Sequence, residues 1–469
     1  MQIEPQSNPS SPALIDPPAA SAPSEPPPAE TLGVARATHT ATELLRVALI
    51  CATVCVALML TFTQSKKQTN SSSRIATMDS LVHDGTYVIN KSYYAKTIDR
   101  VMIGKDSYSS KPPLFSTIGA GVYWVIHHTT HLTLRDKHQR ETVVYSLTLI
   151  LAGIPHLILL GYAYALLRWF APSVAAASWT LACLALGQLG LAYSVTINNH
   201  VPAALAAFIA FYYAYGLRHG HLTKPRHWML AGLAIGVAPT MDLGAVFLSA
   251  GIGLYLLSFD WRSTFKYLIP VALIPVAVNF GLTWYVMGSP TPVYLRKELY
   301  DYPGSYWKNP GGIDGLDEPR LIYLRNILIG HHGLFSMTPV LCFSVVAIAR
   351  TLIKRDAKYL AEALTIGIPT LILIVFYTAT TKNYGGVCVG FRWFLPVVPL
   401  LLLFVAVSFS HFRRRSILAL FLVCMTVGQY HVFDGIQNPW KTSNWHAFLG
   451  KAPGPGKPKP PAAAPSAPR

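Results

Sequence analysis

Residues Trp228–Phe259, WMLAGLAIGVAPTMDLGAVFLSAGIGLYLLSF, decide how this chain is threaded. A membrane span needs about 20 apolar residues to cross about 30 Å of hydrocarbon, so the segment is long for one helix and short for two. Its middle reads Pro239-Thr240-Met241-Asp242. On either side lie short basic loops, 218–227 with Arg218, Lys224 and Arg226, and 260–266 with Arg262 and Lys266. Short loops rich in Lys and Arg stay on the cytoplasmic side. Both loops share that side only if the segment enters and returns. It therefore reads as a hairpin of two short helices with Asp242 near its outer turn. The hairpin also keeps that carboxylate from the bilayer centre, where it would cost about 3 kcal/mol.

Outward from the hairpin, apolar runs recur at 44–63, 142–168, 175–194, 201–217, 267–287, 333–353, 359–380, 394–410 and 416–432. The loops 354–358 and 411–415 are again basic, with Lys354, Arg355 and Lys358 in one and Arg413, Arg414 and Arg415 in the other. Together with the hairpin these runs predict an all-α, polytopic membrane protein of about eleven transmembrane helices, residues 43–432. The amino terminus is then cytoplasmic and the carboxyl terminus outside. Composition agrees: of 469 residues 52% are hydrophobic and 13% charged, against about 25% charged in an ordinary soluble protein. The runs are continuous rather than alternating, which argues against membrane strands.

The net charge of +17 comes largely from Lys and Arg in short inter-span loops. Without a basic stripe interleaved with aromatics, nucleic acid is not an expected partner. Cys51, Cys55, Cys183, Cys342, Cys388 and Cys424 form neither a disulfide framework nor a zinc-ligand spacing. Residues 1–42, rich in Pro, Ala and Ser, read as a disordered cytoplasmic tail. Residues 433–469 read as an outer tail, disordered from about 451.

This threading sends four polar features to the outer face. The first is the loop 64–141, whose stretch Asn70–Phe115, NSSSRIATMDSLVHDGTYVINKSYYAKTIDRVMIGKDSYSSKPPLF, interleaves Asp79, Asp84, Asp99 and Asp106 with Arg74, Arg100 and Lys111. Pro113–His128 is short for a span and reads as a juxtamembrane helix at the outer interface, with Tyr123 and Trp124 suited to that depth. The second feature is the Asn198-Asn199-His200 turn, whose amides and imidazole either bind a ligand or cap the helix that follows. The third is the loop 288–332, with its aromatics, the acids Asp314, Asp317 and Glu318, and then Gly330-His331-His332-Gly333. The fourth, 381–393, reads TKNYGGVCVGFRW and carries Lys382, Tyr384 and Arg392 on a Gly-rich loop. Cations beside mobile backbone amides suit a phosphate, and equally suit snorkelling anchors. No P-loop or GxGxxG nucleotide motif is present.

The turn Lys111-Pro112-Pro113-Leu114, the run SLVHDGTY at Ser80–Tyr87 and the order of spans resemble the polyprenyl-phosphate-sugar glycosyltransferases of the GT-C type. Their relatives include the bacterial aminoarabinose transferase, the protein O-mannosyltransferases and lipopolysaccharide glycosyltransferases. The resemblance covers roughly residues 44–410. It implies transfer of a sugar from a polyprenyl-phosphate donor to a lipid, glycan or protein acceptor at the extracytoplasmic face of a membrane, here the bacterial inner membrane. It makes Lys111, Arg392 and Lys382 candidates for the donor phosphate. Arg74, Asn198, Asn199, His200, His331 and Tyr384 become candidates for substrate. The chain departs from the pattern at Asn70-Ser71-Ser72-Ser73, where relatives carry an acid before the arginine matched by Arg74. The catalytic base would then be Asp99 or Asp79. A divalent metal stays open as a cofactor, without being required. Two readings compete with the enzyme: a transporter, and a GT-C-like lipid-binding scaffold without activity.

Overall fold

A computed structural model describes residues 29–66, 68–381, 383–410 and 415–442. Seven of its helices are long and apolar enough to cross a membrane: Thr42–Phe62, Arg140–Phe170, Val174–Tyr193, His200–Arg218, Trp261–Met287, Leu360–Thr380 and Arg415–Gln437. Four shorter helices, Pro225–Met241, Ala245–Leu257, Leu341–Lys354 and Val398–Phe409, fill the other expected positions. The first helix, α1, runs Ala29–Phe62, so its assignment begins inside the segment expected to be a disordered tail. The rest of that tail, and 443–469, lie outside the described residues. The last helix continues to Gln437, beyond the expected limit at 432.

The hairpin is present, with its two helices joined at Asp242–Gly244. Its first helix lies very close to Trp261–Met287. A Cβ on Gly232 would sit 2.3 Å from the Leu268 carbonyl oxygen, and one on Gly236 2.1 Å from that of Ala272. Two glycines four residues apart thus form a flat stripe against a neighbouring backbone, a contact that lets apolar helices approach within a membrane.

Val398–Phe409 is the central helix, and every residue from Val398 to Ser408 is buried. Twelve residues rise about 18 Å, too short to span hydrocarbon alone. Packed against Val174–Leu186, Leu341–Lys354 and other helices, it meets protein rather than lipid. The turn Arg392–Phe394 leads into its amino end, which draws Arg392 into the protein interior.

The loop 64–141 is a folded unit with an apolar core of its own. Helix α2 spans Thr69–Asp84, followed by an antiparallel pair, β1 Arg100–Ile103 and β2 Asp106–Ser109, and then helix α3, Pro113–Thr130. Ile75, Met78, Tyr94, Phe115, Tyr123 and Val144 share its apolar core. Trp124 is exposed, but Tyr123, expected beside it at the interface, is fully buried. Its hydroxyl accepts from the Leu134 amide at 2.8 Å and lies 2.9 Å from His83 Nε2. Helix α3 therefore turns Tyr123 inward, because one face of the helix has to cover α2.

Candidate active site

The β-hairpin brings Asp99 and Lys111 together. Asp99 immediately precedes β1 and Lys111 follows Ser110 at the end of β2; the Ser110 amide donates to the Asp99 carbonyl at 3.1 Å. Across this closed end Lys111 Nζ sits 3.0 Å from Asp99 Oδ1, with both residues largely buried. The Pro112-Pro113 step then starts α3, as proline does well in a first helical turn.

Arg74 reaches the same place from α2. It is buried, and Nη1 donates to the Asn70 carbonyl at 3.0 Å and to Asn70 Oδ1 at 3.2 Å, while Nη2 donates to Asn199 Oδ1. All these acceptors are neutral. Burial, and then Arg392, pulls the Arg74 guanidinium down to about 10, against the lift from Asp99 and Asp242. Lys111 is lowered too, first by burial; Asp99 opposes this, and Arg74 and Arg392 add to it. Three cations from distant parts of the chain thus feel one another in a poorly solvated place.

Arg392 is the least satisfied of them. It is buried, and its Nε and Nη1 have no hydrogen-bond partner among the described residues. Its guanidinium carbon lies 5.2 Å from the ring centre of Trp440, whose Nε1 donates to Thr196 Oγ1 at 3.2 Å. Behind it, the Phe391 amide donates to the His332 carbonyl at 3.0 Å, so the His331-His332 segment braces the turn. Asp314 faces Arg392 and Lys111 and accepts from the Tyr306 hydroxyl at 2.9 Å; burial nonetheless holds its carboxyl above the usual aspartate range.

The turns 198–200 and 241–242 clasp each other next to Arg74. Asn199 Nδ2 donates to the Met241 carbonyl at 2.5 Å, and His200 Nδ1 lies 2.5 Å from Asp242 Oδ2. Asn198 has the capping role: its Oδ1 accepts from the amides of His200 and Val201 at 3.0 and 3.1 Å, and its Nδ2 donates to the carbonyls of Tyr193 and Thr196.

No protein-family model matches the sequence, and no curated protein matches it. Solved structures do match. The crystal structure of ArnT from Cupriavidus metallidurans bound to undecaprenyl phosphate aligns with a TM-score of 0.55 and 15% identity, over 81% of this chain and 62% of that one. The apo state of that protein aligns with a TM-score of 0.52 and 16% identity, over 80% and 61%. The chain has the GT-C fold. At that identity the likeness is one of fold, and the chain spans about three fifths of the length of those two structures.

Within this GT-C fold the sequence-derived residues fall into three groups. Arg74, Asp99, Lys111, Asn199, His200 and Arg392 converge. His331 and Tyr384 stand behind the Arg392 turn: Tyr384 stacks on His332 and Tyr323, accepts from Asn326 Nδ2 at 3.0 Å and donates to Glu318. Asp79 stands apart. It is buried against Arg135, whose Nε is 3.2 Å from Oδ1, with His83 at 3.8 Å; Arg135 also bonds Asp84. Five residues along a helix is 140° of rotation from Arg74, so the two side chains leave α2 on different sides. Lys382 lies outside the described residues. Among the described residues, no group of three or more His, Cys, Asp or Glu could hold a metal ion.

Sequence reasoning missed Asp242, Asp314 and Trp440 as members of the site. Asp242 had a signal: the threading put it at the outer turn of the hairpin. Trp440 had none, since nothing local ties a residue beyond the last span to a loop 48 positions earlier.

Proposed function

We propose that this integral membrane protein is a glycosyltransferase that takes its sugar from a polyprenyl-phosphate donor at the extracytoplasmic face. The observation that carries this reading is Arg392, a buried guanidinium with two unpartnered nitrogens, within the field of Arg74 and Lys111. Buried, unmatched donors on a cation are costly, and a bound anion that completes them removes that cost. A phosphate monoester or diester offers the charge and the acceptor geometry that a guanidinium fork matches. The GT-C fold and ArnT's bound undecaprenyl phosphate support a lipid-linked phosphate as that ligand.

On this reading Arg392, Lys111 and Arg74 hold the donor phosphate and stabilise the charge that grows on it as the sugar leaves. Lys382 belongs to the same loop as Arg392 and is assigned the same task. Asp99, paired with Lys111, keeps that ammonium aimed at the phosphate. Asn199 fixes Arg74, and His331 and Tyr384 support the turn that carries Arg392. The acceptor is a lipid, glycan or protein hydroxyl or amine reached from the aqueous side. The basic short loops support a cytoplasmic amino terminus and a site on the outer face of a bacterial inner membrane.

The test is turnover by the purified full chain in lipid nanodiscs. A panel of polyprenyl-phosphate hexoses and pentoses is supplied, and release of free polyprenyl phosphate is followed. Turnover of one donor, lost in Lys111→Ala and Arg392→Ala, supports the reading. A protein that neither turns over any donor nor binds polyprenyl phosphate refutes it.

A further inference from the structure

We infer that His200, oriented by Asp242, is the general base that deprotonates the acceptor, an assignment that rests on the transferase reading above. The argument begins with what the carboxylates of the site are already doing. Asp99 is ion-paired with Lys111 at 3.0 Å, and Asp79 is held by Arg135 and His83 away from the cations. Asp314 accepts from the Tyr306 hydroxyl and lies in the field of Arg392 and Lys111, which favours its charged form. A carboxylate committed to a cation holds its lone pairs poorly available for a proton.

The His200–Asp242 pair differs. A carboxylate can only accept, so the 2.5 Å contact puts the imidazole proton on Nδ1. Neutral imidazole then carries its basic lone pair on Nε2, which makes no hydrogen bond among the described residues. Nor is Nε2 among the buried polar atoms sealed off without a partner. The charged groups facing His200 come from every side of the site: Asp242 from the hairpin turn, Arg74 from α2 and Arg392 from the Gly-rich loop. The residue next to it, Asn199, binds Arg74 directly, so the imidazole is fixed relative to a cation that holds the phosphate. The same amide bonds the carbonyl preceding Asp242, which fixes the orienting acid as well.

The step balances without a further reactant. The acceptor O–H gives its proton to His200 Nε2, and its oxygen lone pair forms the bond to C1 of the sugar. The bond from C1 to the phosphate oxygen breaks, and its electron pair stays on the departing polyprenyl phosphate beside Arg392, Lys111 and Arg74. Asp242 stabilises the imidazolium, which returns its proton to water.

The experiment uses the nanodisc-embedded full chain, a donor that the wild type turns over, and water as the acceptor probe. His200→Gln, His200→Ala, Asp242→Asn and Asp99→Asn are measured for kcat, for its pH profile and for binding of undecaprenyl phosphate. A positioned general base contributes about 10²–10⁴-fold. His200→Gln is expected to lose kcat in that range, to lose the acidic limb of the profile, and to bind undecaprenyl phosphate within about twofold of wild type. Asp242→Asn retains part of kcat with its acidic limb moved to lower pH, because the imidazolium has lost its counter-charge. Added imidazole restores part of the turnover of His200→Ala. The inference is overturned if His200→Gln keeps wild-type kcat and profile while Asp99→Asn loses both. It is equally overturned if His200→Gln loses turnover, phosphate binding and thermal stability together, the pattern of a structural clasp. A wild type that binds undecaprenyl phosphate but turns over no donor refutes the transferase reading itself, and this inference with it.

Discussion

Replacing Arg392 with methionine should move ligand binding and thermal stability in opposite directions. The guanidinium has two nitrogens without partners, Nε and Nη1. A hydrogen bond to a charged group contributes about 1.5–3 kcal/mol, and two bonds to one phosphate are not additive, so about 3 kcal/mol is expected for the pair. That is roughly a 150-fold rise in the Kd for undecaprenyl phosphate. The empty protein should respond otherwise. Each unsatisfied buried donor costs about 1–3 kcal/mol, and methionine removes both. Against this stands the loss of the contact with Trp440, about 2 kcal/mol for a desolvated cation over an indole. About 2–6 kcal/mol gained against about 2 lost leaves the ligand-free variant about 2 kcal/mol more stable. The assays are equilibrium binding in nanodiscs and thermal unfolding by intrinsic fluorescence, run at one scan rate with and without undecaprenyl phosphate. Stabilisation of wild type by the lipid, absent in the variant, is the expected pattern. Unchanged binding together with a lower unfolding temperature would show that Arg392 is a structural cation, and the phosphate argument would collapse.

Three other perturbations test the frame. Arg135→Ala should destabilise more than Asp79→Asn, by about 3 against 1–2 kcal/mol, because the first strands a buried carboxylate while the half-exposed arginine left by the second can find water; chemical denaturation of the two variants measures the order, and neither should change phosphate binding. Gly236→Leu should fail to reach the folded state, since even its Cβ would lie 2.1 Å from the Ala272 carbonyl oxygen, and limited proteolysis reads the outcome. The raised pKa of Asp314 means that the folded state binds a proton the unfolded chain releases, from the ordinary value of 3.8 up to the raised one. Wild-type stability therefore falls as pH rises through that window, and Asp314→Asn should flatten the fall in a pH series of unfolding temperatures.

Hydropathy and loop charge located the helices well, because a membrane imposes length and composition on each span. The hairpin is the clearest case: one carboxylate and two basic loops determined its path. The same logic could not foresee that Val398–Phe409 is sheathed by protein on all sides, since a buried apolar helix and a lipid-facing one have the same composition. Composition is equally silent on the packing within the loop 64–141. Its Ser-rich helix α2 looks polar in sequence, yet Ser71, Ser72, Ser73 and Ser80 are buried, their small side chains allowing close packing. Lys111 and Arg392 were legible from their unusual Pro and Gly neighbours. Asp79 and Asp99 looked equivalent, and only the β-hairpin distinguishes them: it returns the chain so that Asp99 meets Lys111, while Asp79 points toward Arg135.

The cap that Trp440 places over Arg392 bears on how the protein is made. Arg74 and Lys111 are synthesised early, Arg392 late, and Trp440 only after the last apolar helix. During insertion, the cations near the amino-terminal end wait for counterparts several helices away. Docking of the final helix therefore completes the cover, so that a chain halted after Phe409 would carry all three cations but not the indole that covers one of them.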